Sequence, residues 1–379
     1  MMIKALYIHI PFCLAKCKYC DFNSYPLPVF KGRVDEYLGA LKKELLMLSK
    51  EIPLGGIETI YMGGGTPTIL DTGQLLNFMK CLKEIVDFSN VDEITIEANP
   101  GTITQEKLLA LNNVGFNRIS IGVQSLDDNL LKHMGRAHNA EEAVAAVTLA
   151  RETGWSNINV DLIYGLPNQS NAIWMDTLKK VIDLGPDHIS AYGLKIEDNT
   201  PWSSDYYNNL LALPEEDSVL EMYETLQAIL GDNGYFQYEI SNYCKPKKAS
   251  KHNTVYWHNN YYLGIGSGAA SFYNNQRFYN IKNTGQYLDC LSQGLRPIGE
   301  LLELAQEEQI SETMFMNLRL LSGIKIVDFK KRFGISPIDK YYNEIKKLSE
   351  MELLDVNEDT IKLTHKGIPL ANLVFMEFV

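Results

Sequence analysis

The N-terminal half of the chain alternates short apolar, β-prone runs with longer stretches of helical periodicity. Residues 5–9 form the first such run. Residues 34–49 follow, with Tyr37, Leu38, Leu41, Leu45 and Leu48 on one apolar stripe. Further strands are predicted at 59–62, 93–98, 118–124, 157–163 and 188–194, and helices at 73–86, 105–113, 140–154 and 171–184. Gly115 is placed to close the helix at 105–113. Six β/α repeats in this order predict a parallel sheet with right-handed crossovers. A full eight-unit barrel typically takes ~250 residues. The expected fold is therefore α/β, a partial (β/α)6 barrel open on one side. Functional groups in such folds gather where the strands end.

The pattern changes near residue 200 and again near 304. Between Tyr206 and Tyr279 lie eleven of the 21 tyrosines. A helix is predicted at 214–230, and the stretch 261–272 is rich in glycine and small residues. We expect residues 201–303 to form an aromatic-rich extension covering the open side of a barrel made by residues 1–200. Residues 304–379 read as helices at 307–321, 325–333 and 340–351, then a hairpin of 353–356 and 360–363 turning at Asn357, Glu358 and Asp359. Helices followed by a β-wing make a winged-helix-like module. DNA binding is the functional reading and a scaffold role the plain one. The plain reading is preferred, because Lys and Arg here are matched by Asp and Glu. Over the 379 residues, 35 Lys and Arg face 47 Asp and Glu, a net charge of −12. That balance argues against a nucleic-acid partner, which is held largely by basic side chains on phosphates. No apolar run is long enough to span a bilayer, although peripheral membrane association is left open. The first residues run directly into a strand without the pattern of a secretory leader, so a cytoplasmic protein is expected.

Three of six cysteines cluster. Cys13, Cys17 and Cys20 follow the first strand, whereas Cys81, Cys244 and Cys290 are scattered and read as packing residues. In a reducing compartment a tight cluster points to metal rather than disulfides. Structural zinc is closed by four ligands and no fourth cysteine is near, although His9 is one way to complete a set. Three thiolates on a cubic [4Fe–4S] cluster leave one iron open, as a site that activates a substrate requires.

Cys-x3-Cys-x2-Cys after strand one of a partial barrel resembles the radical S-adenosylmethionine (SAM) superfamily. The resemblance gives Tyr19 the aromatic position against adenine, and Gly64, Gly65 and Thr66 the backbone that binds the methionyl ammonium. Glu97 and Gln124 end strands, Arg136 follows one, and Asp161 lies within one. Any of them alone reads as a satisfied core or loop residue, since unpaired buried polar groups are costly. Their shared placement argues for a site. Carboxylate and amide suit ribose hydroxyls, and Arg suits a carboxylate. Nearly the whole chain resembles one branch, that of oxygen-independent coproporphyrinogen dehydrogenase and its relatives. There Tyr7, Gly64, Gly65, Thr66, Glu97, Gln124, Arg136 and Asp161 correspond to SAM-contacting positions. The resemblance implies that an electron from the cluster, drawn from an unidentified donor, cleaves SAM to methionine and a 5′-deoxyadenosyl radical, with the protein supplying orientation and shielding.

Within the branch, two features depart from the dehydrogenase. Cys13 lies near the start of the sequence, without the arm of a few dozen residues expected before the cluster, and Phe22 stands where a further cysteine is expected. Both match the HemW-type haem chaperones. So does His252-Asn253-Thr254-Val255-Tyr256-Trp257, a His-Asn-x-x-Tyr-Trp motif. Histidine is a common axial ligand of haem iron, and Tyr256 and Trp257 offer flat apolar faces. The plain reading is a packed or hydrogen-bonded histidine. The match favours His252 as ligand, with His258 as a weaker alternative. The expectation is a protein that binds haem and passes it to acceptor haemoproteins, with an exchangeable SAM on its cluster. Tetrapyrrole decarboxylation is the competing activity, and a zinc-stabilised scaffold the third.

Overall fold

The computed structural model describes residues 2–30 and 32–379. Six parallel strands form the barrel wall: β1 (Ala5–Ile10), β2 (Thr59–Gly64), β3 (Glu93–Ala98), β4 (Arg118–Gln124), β5 (Ile158–Tyr164) and β6 (His188–Gly193). Each pairs in parallel with the next. Helices α1 (Val34–Glu51), α2 (Thr72–Ile85), α3 (Gln105–Val114), α4 (Asp128–Met134), α5 (Ala140–Glu152) and α6 (Asn171–Asp183) fill the crossovers. Strand interiors such as Ile119 and Ile121 are fully buried, because a parallel sheet is covered on both faces. Local chemistry fixes the helix ends. The Thr104 hydroxyl caps α3 through the Lys107 N–H, and Gly115 closes it in the left-handed region at φ 115°.

The chain after residue 200 widens this sheet instead of lying over it as a separate layer. Beyond α7 (Pro201–Tyr207) and α8 (Glu216–Asp232), strands β7 (Phe236–Glu239) and β8 (Asn242–Cys244) add antiparallel to β6. After α9 (Lys251–Trp257), β9 (Tyr262–Ile265) returns to the other edge and pairs in parallel with β1. β10 (Ala270–Tyr273), β11 (Gln276–Asn280) and β12 (Ile298–Glu303) continue that edge antiparallel, with α10 (Thr284–Ser292) between the last two. The result is a 12-stranded sheet, β12-β11-β10-β9-β1-β2-β3-β4-β5-β6-β8-β7. The small residues of 261–272 are explained by close backbone approach. A Cβ on Gly264 would lie 2.2 Å from the Ala270 carbonyl oxygen.

The C-terminal segment carries α11 (Gln306–Leu318), α12 (Ile326–Phe333) and α14 (Tyr342–Glu350), with the short α13 (Pro337–Lys340) between the last two. A three-stranded antiparallel sheet joins β13 (Ile324–Lys325), β14 (Leu354–Val356) and β15 (Thr360–Leu363). α11 packs on α9, so the C-terminal segment reaches the edge of the barrel mouth.

Candidate functional site

The cysteine loop leaves β1 and is pinned at both ends. Phe12–Cys13 pairs with Tyr25–Pro26. The Lys18 N–H donates to the Met134 carbonyl at 3.0 Å, and the Trp202 N–H to the Lys18 carbonyl at 3.1 Å. The loop lies against the turn after β2, where the Thr66 N–H donates to the Phe12 carbonyl at 2.7 Å. This approach demands glycine. A Cβ on Gly65 would stand 2.5 Å from the Phe12 carbonyl oxygen, and one on Gly64, at φ 111°, 2.4 Å from the His9 ring.

Cys13, Cys17 and Cys20 line one cleft of about 380 Å³ at the C-terminal mouth of the barrel. All six cysteines are unpaired thiols. The Thr66 hydroxyl points at the Cys13 sulfur (3.8 Å) and an Arg136 N–H at the Cys17 sulfur (3.5 Å). Burial pushes the Cys20 thiol up to about 11 and raises that of Cys13. Among the described residues no three His, Cys, Asp or Glu side chains converge tightly enough to grip a single metal ion. His9, the fourth ligand considered for zinc, is engaged elsewhere. Its Nε2 lies 2.8 Å from the Asn23 carbonyl and its Nδ1 3.1 Å from the Tyr7 hydroxyl. Thiols gathered in one cleft with cationic Arg136 beside them fit a thiolate-held cluster.

The same cleft collects Tyr19, Gly64, Gly65, Thr66, Glu97, Gln124, Arg136 and Asp161 of the residues singled out in the sequence. Arg136 donates to the Asn99 side-chain oxygen and the Gly122 carbonyl, both at 2.6 Å, while its Nε finds no partner in the protein. A buried guanidinium with an orphaned donor is suited to an anionic ligand. Glu97 accepts from the Tyr61 hydroxyl at 2.7 Å and the Gly64 N–H at 2.9 Å. Burial nevertheless pushes its carboxyl up to about 7. Asp161, raised by burial against the pull of Ser120 and Asn159, accepts from both at 2.8 Å. Gln124 holds φ 67°, a conformation uncommon for a side-chain-bearing residue, at the end of β4. Tyr19 packs on Trp202 with ring centroids 5.8 Å apart. Asn99, which the sequence reading passed over, ties the site together, since its amide nitrogen donates to the Thr66 hydroxyl at 2.7 Å while its oxygen accepts from Arg136. Tyr61 and Tyr192 also line the cleft. Tyr192 obeys the strand-end rule; Asn99 follows a strand end and precedes a proline.

Four assigned residues stand elsewhere. Tyr7 lines a neighbouring cleft of about 610 Å³ that shares Lys16, Asp21, Phe22, Ser24, Gly64 and Glu97 with the first. Tyr256 and Trp257 line this second cleft too. His252, expected at haem iron, lines neither cleft. It is 1% exposed in the first turns of α9, where Glu93 accepts from its N–H at 3.0 Å. Its Nδ1 pairs with the Thr59 hydroxyl and its Nε2 with the Tyr256 hydroxyl, both at 2.9 Å. Burial lowers its pKa to about 3, so the ring is neutral with both nitrogens engaged. His258 caps the end of α9, exposed and outside both clefts. Trp257 packs under the Arg319 guanidinium at 4.2 Å.

A cysteine-lined cleft at the mouth of a partial parallel barrel defines the class, and comparison agrees. Residues 7–181 match the Radical SAM superfamily, and residues 304–370 the HemN C-terminal domain. The chain is 36% identical over 378 residues to "Heme chaperone HemW" of Bacillus subtilis (strain 168), covering 100% of this chain and 99% of that one. It is 36% identical over 374 residues to the protein of that name from Lactococcus lactis subsp. lactis (strain IL1403), covering 98% and 96%. Among solved structures, coproporphyrinogen III oxidase (HemN) from Escherichia coli, a radical SAM enzyme, superposes with a TM-score of 0.86 at 26% identity, covering 100% of this chain and 90% of that one. The chain belongs to the HemW family within the radical SAM superfamily.

Proposed function

We propose that this protein is a haem chaperone that holds haem in the second cleft and hands it to acceptor haemoproteins, with SAM and a [4Fe–4S] cluster in the first. The observation that carries this reading is the adjacency of the two clefts, one lined by three thiols and the other by Tyr7, Tyr256 and Trp257, with Gly64 and Glu97 on their common wall. Cys13, Cys17 and Cys20 would hold the cluster. Arg136 would receive the SAM carboxylate, the Gly64–Thr66 turn its ammonium, and Glu97, Gln124 and Asp161 its ribose. Tyr19 would cover the adenine. When bound, the cluster supplies a single electron to SAM. The protein's own part is to orient SAM and exclude water, with the Tyr61–Glu97 pair fixing the wall between cofactor and cargo. The names and full-length likeness of the HemW relatives support haem as cargo. Six unpaired thiols fit a reducing, cytoplasmic compartment. No helix among the described residues is long and apolar enough to cross a membrane.

The competing reading is oxidative decarboxylation of coproporphyrinogen III, favoured by the superposition on HemN. Anaerobic reconstitution separates the two. The chaperone reading expects haem to be bound stoichiometrically and released to an apo-haemoprotein. Turnover of coproporphyrinogen III with SAM and reductant would replace it.

A further inference from the structure

The second cleft holds a metal-ligating side chain from outside the barrel. Met316, on α11, lines it together with Tyr7, Tyr256 and Trp257. Every other group there of a kind that commonly ligates haem iron is engaged. His9 bonds to the Asn23 carbonyl and to the Tyr7 hydroxyl, which occupies Tyr7 as well. The Tyr25 hydroxyl donates to Asn23 at 3.2 Å. The Tyr256 hydroxyl pairs with His252, and the Tyr262 hydroxyl accepts from Arg277 at 3.1 Å. The Met316 thioether makes no hydrogen bond among the described residues. Thioether is an established axial ligand of haem, one that raises its reduction potential. The walls are flat and aromatic, as a macrocycle requires. Lys16, Lys282 and Asp21, all exposed, also line it, Lys16 and Asp21 on the side shared with the first cleft. The rim thus carries two ammonium groups that suit a pair of propionates, that of Lys16 also donating to the Phe22 carbonyl at 3.3 Å.

We infer that Met316 is an axial ligand of the haem bound in this cleft, and that His252 acts as a positioning residue holding Tyr256 against it. The inference rests on the haem-chaperone reading. Because α11 belongs to the C-terminal segment, the cargo would be gripped between the barrel and that segment. Movement of α11 would then remove a ligand from iron, a direct route to release.

The test is haem titration of the full-length, anaerobically reconstituted protein, followed by absorption and by haem reduction potential. Wild type should show the far-red charge-transfer band of a thioether bound to ferric haem. Met316→Leu, nearly the same size, should lose that band, lower the potential and weaken haem binding by about tenfold. Met316→His should restore tight binding with an imidazole-type spectrum. His252→Ala should keep the thioether band. If wild type binds haem but Met316→Leu matches it in spectrum and affinity, the ligand assignment is overturned while the chaperone reading stands. If wild type takes up no haem, the chaperone reading falls and this inference with it.

Discussion

The Tyr61 side chain joins the two clefts. Its hydroxyl donates to Glu97 at 2.7 Å, and its ring lies 5.1 Å from that of His252, tilted by 32°. Tyr7 stacks on Tyr61 with ring centroids 6.1 Å apart, and Tyr256 meets His252 edge-on at 5.0 Å. A change at His252 therefore reaches the walls of both clefts without His252 lining either.

His252→Ala removes the partner of both the Thr59 and Tyr256 hydroxyls in a buried place. Leaving buried polar groups unpaired costs about 1–3 kcal/mol. The urea midpoint of the cofactor-free protein should fall accordingly, and His252→Gln should recover part of the loss. A wild-type midpoint in His252→Ala would show that the two hydrogen bonds do not hold α9 in place.

Gly64→Ala should damage the fold and the proposed SAM site together. A backbone at φ 111° is strained for alanine, and the new methyl would collide with His9. Strain of this kind costs about 1–3 kcal/mol. Equilibrium dialysis should show weaker SAM binding, and denaturation a lower midpoint. Gly73→Ala, in open space at the start of α2, is the control and should change neither.

The three clustered cysteines should be separable from the others. Replacing Cys13, Cys17 or Cys20 with Ser should abolish the cluster absorbance after anaerobic reconstitution, with iron and sulfide falling to background. Cys81→Ser and Cys290→Ser should retain both. Chelation of iron from wild type should likewise abolish the cluster absorbance.

Glu44 gives the fold a pH dependence. It is 3% exposed and accepts from the Gly266 N–H at 2.8 Å and the Tyr287 hydroxyl at 2.6 Å, with Asn280 as a third donor. Burial outweighs those bonds and the nearby Arg296 and pushes its carboxyl from 4.5 up to about 7. Between these values the folded state binds the proton more tightly than the unfolded chain. Stability therefore falls as pH rises from about 4.5 to about 7 and levels off above, by on the order of 3 kcal/mol from this group. Glu97 adds a change of the same sign in the cofactor-free protein. Denaturation across this range should show the decline, and Glu44→Gln should flatten part of it. A wild-type stability that rises with pH over this window would show that Glu44 is held as a carboxylate.

Much of the barrel was legible because its signals are local. Strands 93–98 and 118–124 match the structure to the residue, and the rule that functional groups gather at strand ends singled out Glu97 and Gln124, which both line the first cleft. What escaped is long-range. Nothing in Tyr262–Ile265 tells that it pairs with residues 5–8 of β1, since Gly264 is chosen for close backbone contact and leaves no alternating pattern. That pairing turned an expected cover into a widened sheet. The motif around His252 was visible as a string, but only the fold shows that Thr59 and Tyr256 occupy its ring. Met316 looks like an ordinary helix residue until α11 is set against the cleft.

The most direct test of the account is a single anaerobic experiment on reconstituted protein, given haem, coproporphyrinogen III, SAM and reductant, that follows the Soret band and the tetrapyrrole products together. The account predicts one haem bound per chain and no decarboxylated product beyond background. Sustained conversion of coproporphyrinogen III with no haem band would contradict it.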